Sequence, residues 1–276
     1  MMKTTTGVRR GEIQLTQRDL KMFAALETWG VLGIGQMFGL GLAQTLSESE
    51  KVERFFNKME RDDYKLWLAA RLRALEVAGY VQGHSFLRQP KAFTLTHRGR
   101  EAISDEPVSR SEVRDTVSEA MIRHDLKVSG VGLVLTQILG LPARREHPQA
   151  VWTNTNGRQH LTLEGAADLW IDTTPAPRAV EVELTQKSRR RYEDIFETYR
   201  RRLSSNGAVL YLTGWQEGVA LILRNARDNR APFVFACSLD EFRRAAGRCV
   251  FQGAVSGRTL VLPGREAATT SLEVSQ

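Results

Sequence analysis

Three carboxylates stand where carboxylates are costly. From Leu163 to Lys187 the chain reads LEGAADLWIDTTPAPRAVEVELTQK, two short apolar runs joined by a Pro-containing turn, with Asp168 on the first and Glu181 and Glu183 on the second. A charge buried without a partner costs several kcal/mol, so such acids need compensation. Residues two apart on a strand point to one face, and a neighbouring strand can bring Asp168 alongside Glu181 and Glu183. Three converging oxygen ligands with open positions suit Mg²⁺ or Mn²⁺ better than zinc. The alternation V-E-V-E-L equally suits acids on the solvated face of an edge strand.

The elements that must position these acids are read from the rest of the chain. At 276 residues, 42% of them hydrophobic, it is long enough for two domains with their own cores. The longest apolar runs are about half a bilayer span, so no membrane insertion is expected. The N-terminus lacks the apolar core of a secretory signal, and Cys237 and Cys249 read as small buried fillers in a reducing cytoplasm. A formal charge of +7 favours a polyanionic partner.

Residues 1–106 are predicted to form the first domain. Thr16 caps a helix carrying Leu20, Phe23 and Trp29, a short helix follows near Gly35–Leu42, and a third starts near Tyr64 with Leu68, Leu72 and Leu75 as its stripe. Two β segments, Tyr80–Gly83 and Ala92–Leu95, precede a helix capped by Thr96. Three helices and a β-ribbon are the order of a winged helix-turn-helix. On that pattern Lys65, Arg71 and Arg73 face DNA and Arg88 and Lys91 lie on the wing; equally, they form a solvated face of an interaction module. The charged segment 47–63 reads as an insertion without an assigned role.

Pro107 marks a polar linker, and residues 107–264 alternate helices and strands, with a disordered tail over 265–276. A helix from about Ser111 carries His124. Strands are expected near Val151–Asn154, Ala166–Ile171 and Ala179–Leu184, then a basic helix and a strand at Ala208–Leu212. The resulting αβββαβ order is that of a restriction-endonuclease-like core, so the fold class is α+β. Such a core uses an acid on its second strand and acid-x-Lys on its third, the lysine orienting or activating water. Here the lysine is missing from its usual place; Lys187 replaces it only if the strand extends or the following loop curls back. Lys187, Arg189, Arg190 and Arg191 are candidates to bind phosphate beside the acids, and Arg200–Arg202 close the same helix. Tyr192 and Tyr199 read as packing residues.

With its L-T-x-R-D-L opening, F-T-L-T-x-R-G-R close, R-H-D-L, A-D-L and E-V-E-L-T-x-K followed by R-Y, the chain resembles the MobC-type relaxases of mobilisable plasmids and the related replication-relaxation proteins. The resemblance implies a DNA-processing enzyme whose acids fall on Asp168, Glu181 and Glu183, with His124, matching the histidine of R-H-D-L, as a catalytic candidate; equally, His124 is a helix histidine satisfied by a backbone carbonyl. The expected protein is a cytoplasmic relaxase that binds a plasmid or integrative-element transfer origin, double-stranded and locally melted, and nicks or relaxes one strand with Mg²⁺ or Mn²⁺. A relaxosome or coupling-protein partner is implied. The alternative is an inactive nuclease-fold accessory protein that binds the origin and recruits a relaxase or coupling ATPase.

Overall fold

The computed structural model describes residues 13–40, 46–56, 63–85, 91–105, 118–146, 149–155, 158–164, 167–173 and 176–263. Arg88, the linker at Pro107 and the tail 265–276 lie outside them, as does the side chain of Lys65. The chain is α+β and divides into two compact units, 1–46 with 56–129 and 47–55 with 130–276.

In the first unit, Thr16 opens helix α1 (Gln17–Trp29) through a reciprocal capping box. Its hydroxyl accepts from the Asp19 N–H at 3.3 Å, and Asp19 Oδ2 accepts from the Thr16 N–H at 2.7 Å. Gly30, with φ 76°, ends the helix in a backbone conformation that favours glycine. Strand β1 (Val31–Gly33) and helix α2 (Ile34–Gly39) follow directly. Helix α3 (Glu48–Phe55) belongs to the second unit, and the first resumes with helix α4 (Asp63–Val77), β2 (Val81–His84), β3 (Ala92–Leu95) and helix α5 (His97–Glu101). The strands form an antiparallel sheet in the order β1-β3-β2. Leu68, Leu72 and Leu75 are fully buried, as their spacing predicts.

Helix α6 (Glu119–Leu133) gives its first part to this unit. Ile122 and Leu126 pack with Val31 and Ala92, and the Ser129 hydroxyl donates to the carbonyls of Trp29 and Val31 at 3.1 and 2.8 Å. These contacts carry the division of the chain to Ser129, beyond the boundary at 106/107 expected from linker composition. They also place Met121 on the exposed side of α6.

In the second unit, α6 runs into one π-helical turn, Val134–Ile138, against which α3 packs. Glu48 and Glu53 of α3 pair with Arg248 and Arg243 at 3.2 and 3.6 Å, which supplies the role that sequence alone left open for this part of 47–63. Strands β4 (Ala143–Arg145), β5 (Gln149–Thr155), β6 (Arg158–Glu164), β7 (Leu169–Ile171) and β8 (Arg178–Glu183) lead to helix α7 (Arg189–Arg202). Next come β9 (Ala208–Thr213), α8 (Gly218–Asp228), β10 (Val234–Ser238), α9 (Leu239–Arg244), β11 (Val250–Gly253) and β12 (Thr259–Val261).

The main sheet has the order β12-β11-β10-β9-β8-β7-β4. Strands β4, β7 and β8 form an antiparallel meander, and β8, β9 and β10 run parallel with α7 and α8 as their crossovers. The expected first strand at Val151–Asn154 lies instead in the separate β5–β6 hairpin; β4 takes its place in the meander. Between α6 and α7 the chain thus runs through five strands, three of them (β4, β7 and β8) in the main sheet and two in the separate hairpin, rather than the three expected. The core on one face of the sheet gathers Trp170, Ala179, Val209 and Tyr211 with Tyr192, Phe196 and Tyr199 of α7. Cys237 and Cys249 are buried free thiols, as expected. Among the described residues no helix is long and apolar enough to cross a membrane.

Candidate active site

The antiparallel register of β7 and β8 decides where the acids go. Leu169 pairs with Val180 and Trp170 with Ala179, so one further step sets Asp168 opposite Glu181. Parity puts Asp168, Glu181 and Glu183 on the face that carries Trp170 and Ala179, beneath α7. The carboxylate of Asp168 is pinned there, because its Oδ2 accepts the Val182 N–H at 2.7 Å. On the other side, β9 sets Tyr211 beside Glu181 and Thr213 beside Glu183.

The three acids differ in their partners. Glu183, 3% exposed, is paired through Oε2 with the Lys187 ammonium. The strand ends at Glu183 and the chain curls back so that the Lys187 N–H donates to the Tyr192 hydroxyl at 3.2 Å, the return that a relocated lysine requires. Glu181 accepts a hydrogen bond on Oε1 from the Tyr199 hydroxyl. Burial, reinforced by the Asp168 charge, pushes the Glu181 carboxyl up to about 8, against the opposing hydrogen bond from Tyr199 and the Lys187 charge. Burial, reinforced by the charges of the same acid cluster, pushes Tyr199 and Tyr211 well above the ordinary phenol range.

A second network brackets Asp168 from upstream, and its central residue was not singled out from sequence. Glu146, immediately after β4, accepts the Ala167 N–H at 3.2 Å and the Trp170 indole N–H on Oε2. Its Oε1 accepts Arg202 at 2.7 Å, and the Arg202 guanidinium lies 5.3 Å from the centre of the Trp170 ring. Burial raises the Glu146 carboxyl, but these hydrogen bonds and the Arg202 charge outweigh it and hold it below its usual range. Arg202 is thus tied inward, and Arg200 binds Glu197 and the Asn229 carbonyl. A lone Glu after a polar three-residue strand carries no periodic signal.

The remaining basic candidates separate by engagement. Arg190 and Arg191 are exposed at the start of α7, whereas Arg189 reaches Glu193 and Asp228 at 3.3 and 3.8 Å. In the first unit Arg73 is exposed on α4, while Lys91 binds Glu76 at 2.6 Å and lies over Phe93. Arg71 does not extend outward from α4 as its helical position suggested. Its Nε and Nη2 donate to the two Asp19 oxygens at 3.0 and 2.6 Å, and Nη2 also reaches the Gln14 carbonyl. His124 lies on α6 with its Nδ1 3.7 Å from Asp125.

Arg71 therefore predicts a stability phenotype. Asp19 is 1% exposed, and Arg71→Ala leaves its charge without its cation, at an expected cost of about 2 kcal/mol, discounted from a fully buried pair because Arg71 is partly exposed. Urea titration should show that loss. Arg73→Ala, at an exposed position on the same helix, should leave the urea midpoint in place.

Among the described residues no group of three or more His, Cys, Asp or Glu side chains is disposed to hold a metal. Mg²⁺, however, is commonly held by one or two carboxylates, with phosphate and water completing its shell. Asp168 and Glu181, facing each other across β7 and β8 and repelling as like charges, fit that smaller requirement, while Glu183 is committed to Lys187.

No family model matches the chain, and comparison with curated proteins returns no match. Among solved structures the chain has a likeness to the crystal structure of protein VC1899 from Vibrio cholerae, at 12% identity and a TM-score of 0.33. The likeness covers 85% of this chain and 56% of that one, so the chain spans little more than half the length of that protein. A likeness of this degree assigns neither fold nor function.

Proposed function

We propose that this chain is a DNA relaxase that nicks one strand of a plasmid or integrative-element transfer origin with Mg²⁺ or Mn²⁺. The observation that carries the reading is Asp168, one step beyond the Leu169–Val180 pair and bonded to the Val182 N–H, beside Glu181, with a lysine returned by the next loop to the same strand end. The order helix, three-strand meander, helix and parallel strand supports a restriction-endonuclease-like core, and α1-β1-α2-α4-β2-β3 with sheet order β1-β3-β2 supports a winged helix.

On this reading Asp168 and Glu181 hold the cation. When bound, it would supply charge neutralisation at the scissile phosphate and acidify water. Glu183 anchors Lys187, which steadies the phosphate, and Arg190 and Arg191 take flanking phosphates. Arg73 on α4 contributes to duplex recognition. Supercoiled plasmid bearing the cognate origin should be converted to open circles with Mg²⁺ or Mn²⁺ and remain supercoiled with EDTA.

The Glu183–Lys187 pairing favours one second reading, an accessory protein whose third acid is neutralised internally and which brings a relaxase or coupling ATPase to the origin. Origin binding without nicking under either metal would select it.

A further inference from the structure

We infer that Tyr199 is the positioning residue for Glu181, holding one carboxyl oxygen so that the other is presented to the cation shared with Asp168. The inference rests on the metal-site reading above and concerns how this chain prepares that site.

Helix α7 needs only apolar bulk at its buried positions. Tyr192, Phe196 and Tyr199 fall at successive turns of one face, and Phe196 shows that a plain ring suffices there. A hydroxyl at position 199, 2% exposed, carries a desolvation penalty unless it finds a partner, and its partner is Glu181 Oε1. Among the described residues Tyr199 is the hydrogen-bond donor to the Glu181 side chain, leaving Oε2 for a cation. Asp168 has its own fixed donor in the Val182 N–H. Each acid of the facing pair thus has an oxygen anchored by the protein, one by backbone and one by α7.

Tyr211 provides an internal comparison. It lies beside Glu181 in the β8–β9 register and is fully buried, but its hydroxyl has no hydrogen-bond partner among the described residues. Removing either hydroxyl deletes one buried oxygen beside the acids, and only one deletion releases an acid.

The test measures Mn²⁺ binding to the full chain by electron paramagnetic resonance, without DNA, for the parent, Tyr199→Phe and Tyr211→Phe, with thermal melting to verify folding. Tyr199→Phe is expected to weaken Mn²⁺ binding about 10- to 100-fold, the usual effect of losing a partner of a metal-ligating carboxylate. Tyr211→Phe should stay within about twofold of the parent. Nicking by Tyr199→Phe should recover as Mg²⁺ is raised, because the defect is in occupancy. A folded Tyr199→Phe protein with parental Mn²⁺ affinity would overturn the inference alone. Absence of Mn²⁺ binding by the parent would overturn both it and the metal-site reading. Equal weakening by both substitutions would also defeat the inference, since general disturbance of the buried layer would then explain the loss.

Discussion

Under the proposed relaxase function, Asp168→Ala and Glu181→Ala are each expected to lower metal-dependent nicking by about 100-fold or more while origin-duplex binding stays within about threefold. A direct ligand should cost at least as much as the roughly 10- to 100-fold lost when only a ligand's support is removed. Duplex contacts assigned to α4 do not involve these acids. Asp168→Asn refines the comparison, because an amide oxygen still accepts the Val182 N–H while the charge is lost. Its activity should resemble that of Asp168→Ala. Initial nicking rates at fixed Mg²⁺, read beside gel-shift affinities on the same DNA, provide the check. Parental rates in both alanine variants would remove these acids from the chemistry.

The second large effect lies in the pH dependence of folding. Burial, with the Asp168 charge, pushes the Glu181 carboxyl of the folded chain up to about 8 from an ordinary value of 4.5. The folded state therefore binds its proton more tightly than the unfolded state. That contribution to stability is complete below about pH 4.5 and is lost as pH rises through about 8. Between pH 5 and pH 8 the loss is on the order of 3 kcal/mol, from about 1.4 kcal/mol per unit of displacement. Denaturant titrations in EDTA at these two pH values should show that loss in the parent. Glu181→Gln, which cannot titrate, should lack it. A parent and variant with parallel pH profiles would contradict a buried Glu181 beside the Asp168 charge. Mn²⁺ affinity should rise over the same interval, since proton and cation compete for one carboxyl group.

Much of the frame around these acids is visible in local pattern. The V-E-V-E-L alternation marks β8, the Tyr192–Phe196–Tyr199 stripe marks the buried side of α7, and Thr16 with Asp19 marks the start of α1. Those signals are local because backbone periodicity and capping are local. Strand β4 escaped because Ala-Arg-Arg is three residues long with one apolar side chain, too little to show a period. The partners of charged groups escaped for a different reason. Arg71 meets Asp19 from 52 positions away, Arg202 meets Glu146 from 56, and Tyr199 meets Glu181 from 18. A basic residue on an otherwise suitable helix face reads as a DNA contact until the fold reveals the acid beneath it. For Glu183 and Lys187 the four-residue separation was visible, but the chain reversal that closes it was not.

Neither compact unit is an uninterrupted stretch of sequence, and this bears on synthesis as well as on truncation. During translation, α3 leaves the ribosome before any of its partners in the second unit exist. The first unit must likewise wait for Ile122, Leu126 and Ser129 to close over Val31 and Trp29. A nascent chain halted near residue 106 would hold an unfinished hydrophobic layer, with Val31 and Ala92 lacking the cover of Ile122 and Leu126. Completion of α6 is thus a commitment point in biogenesis: its arrival seals the earlier unit and lets the later one recruit a helix synthesised some eighty residues before.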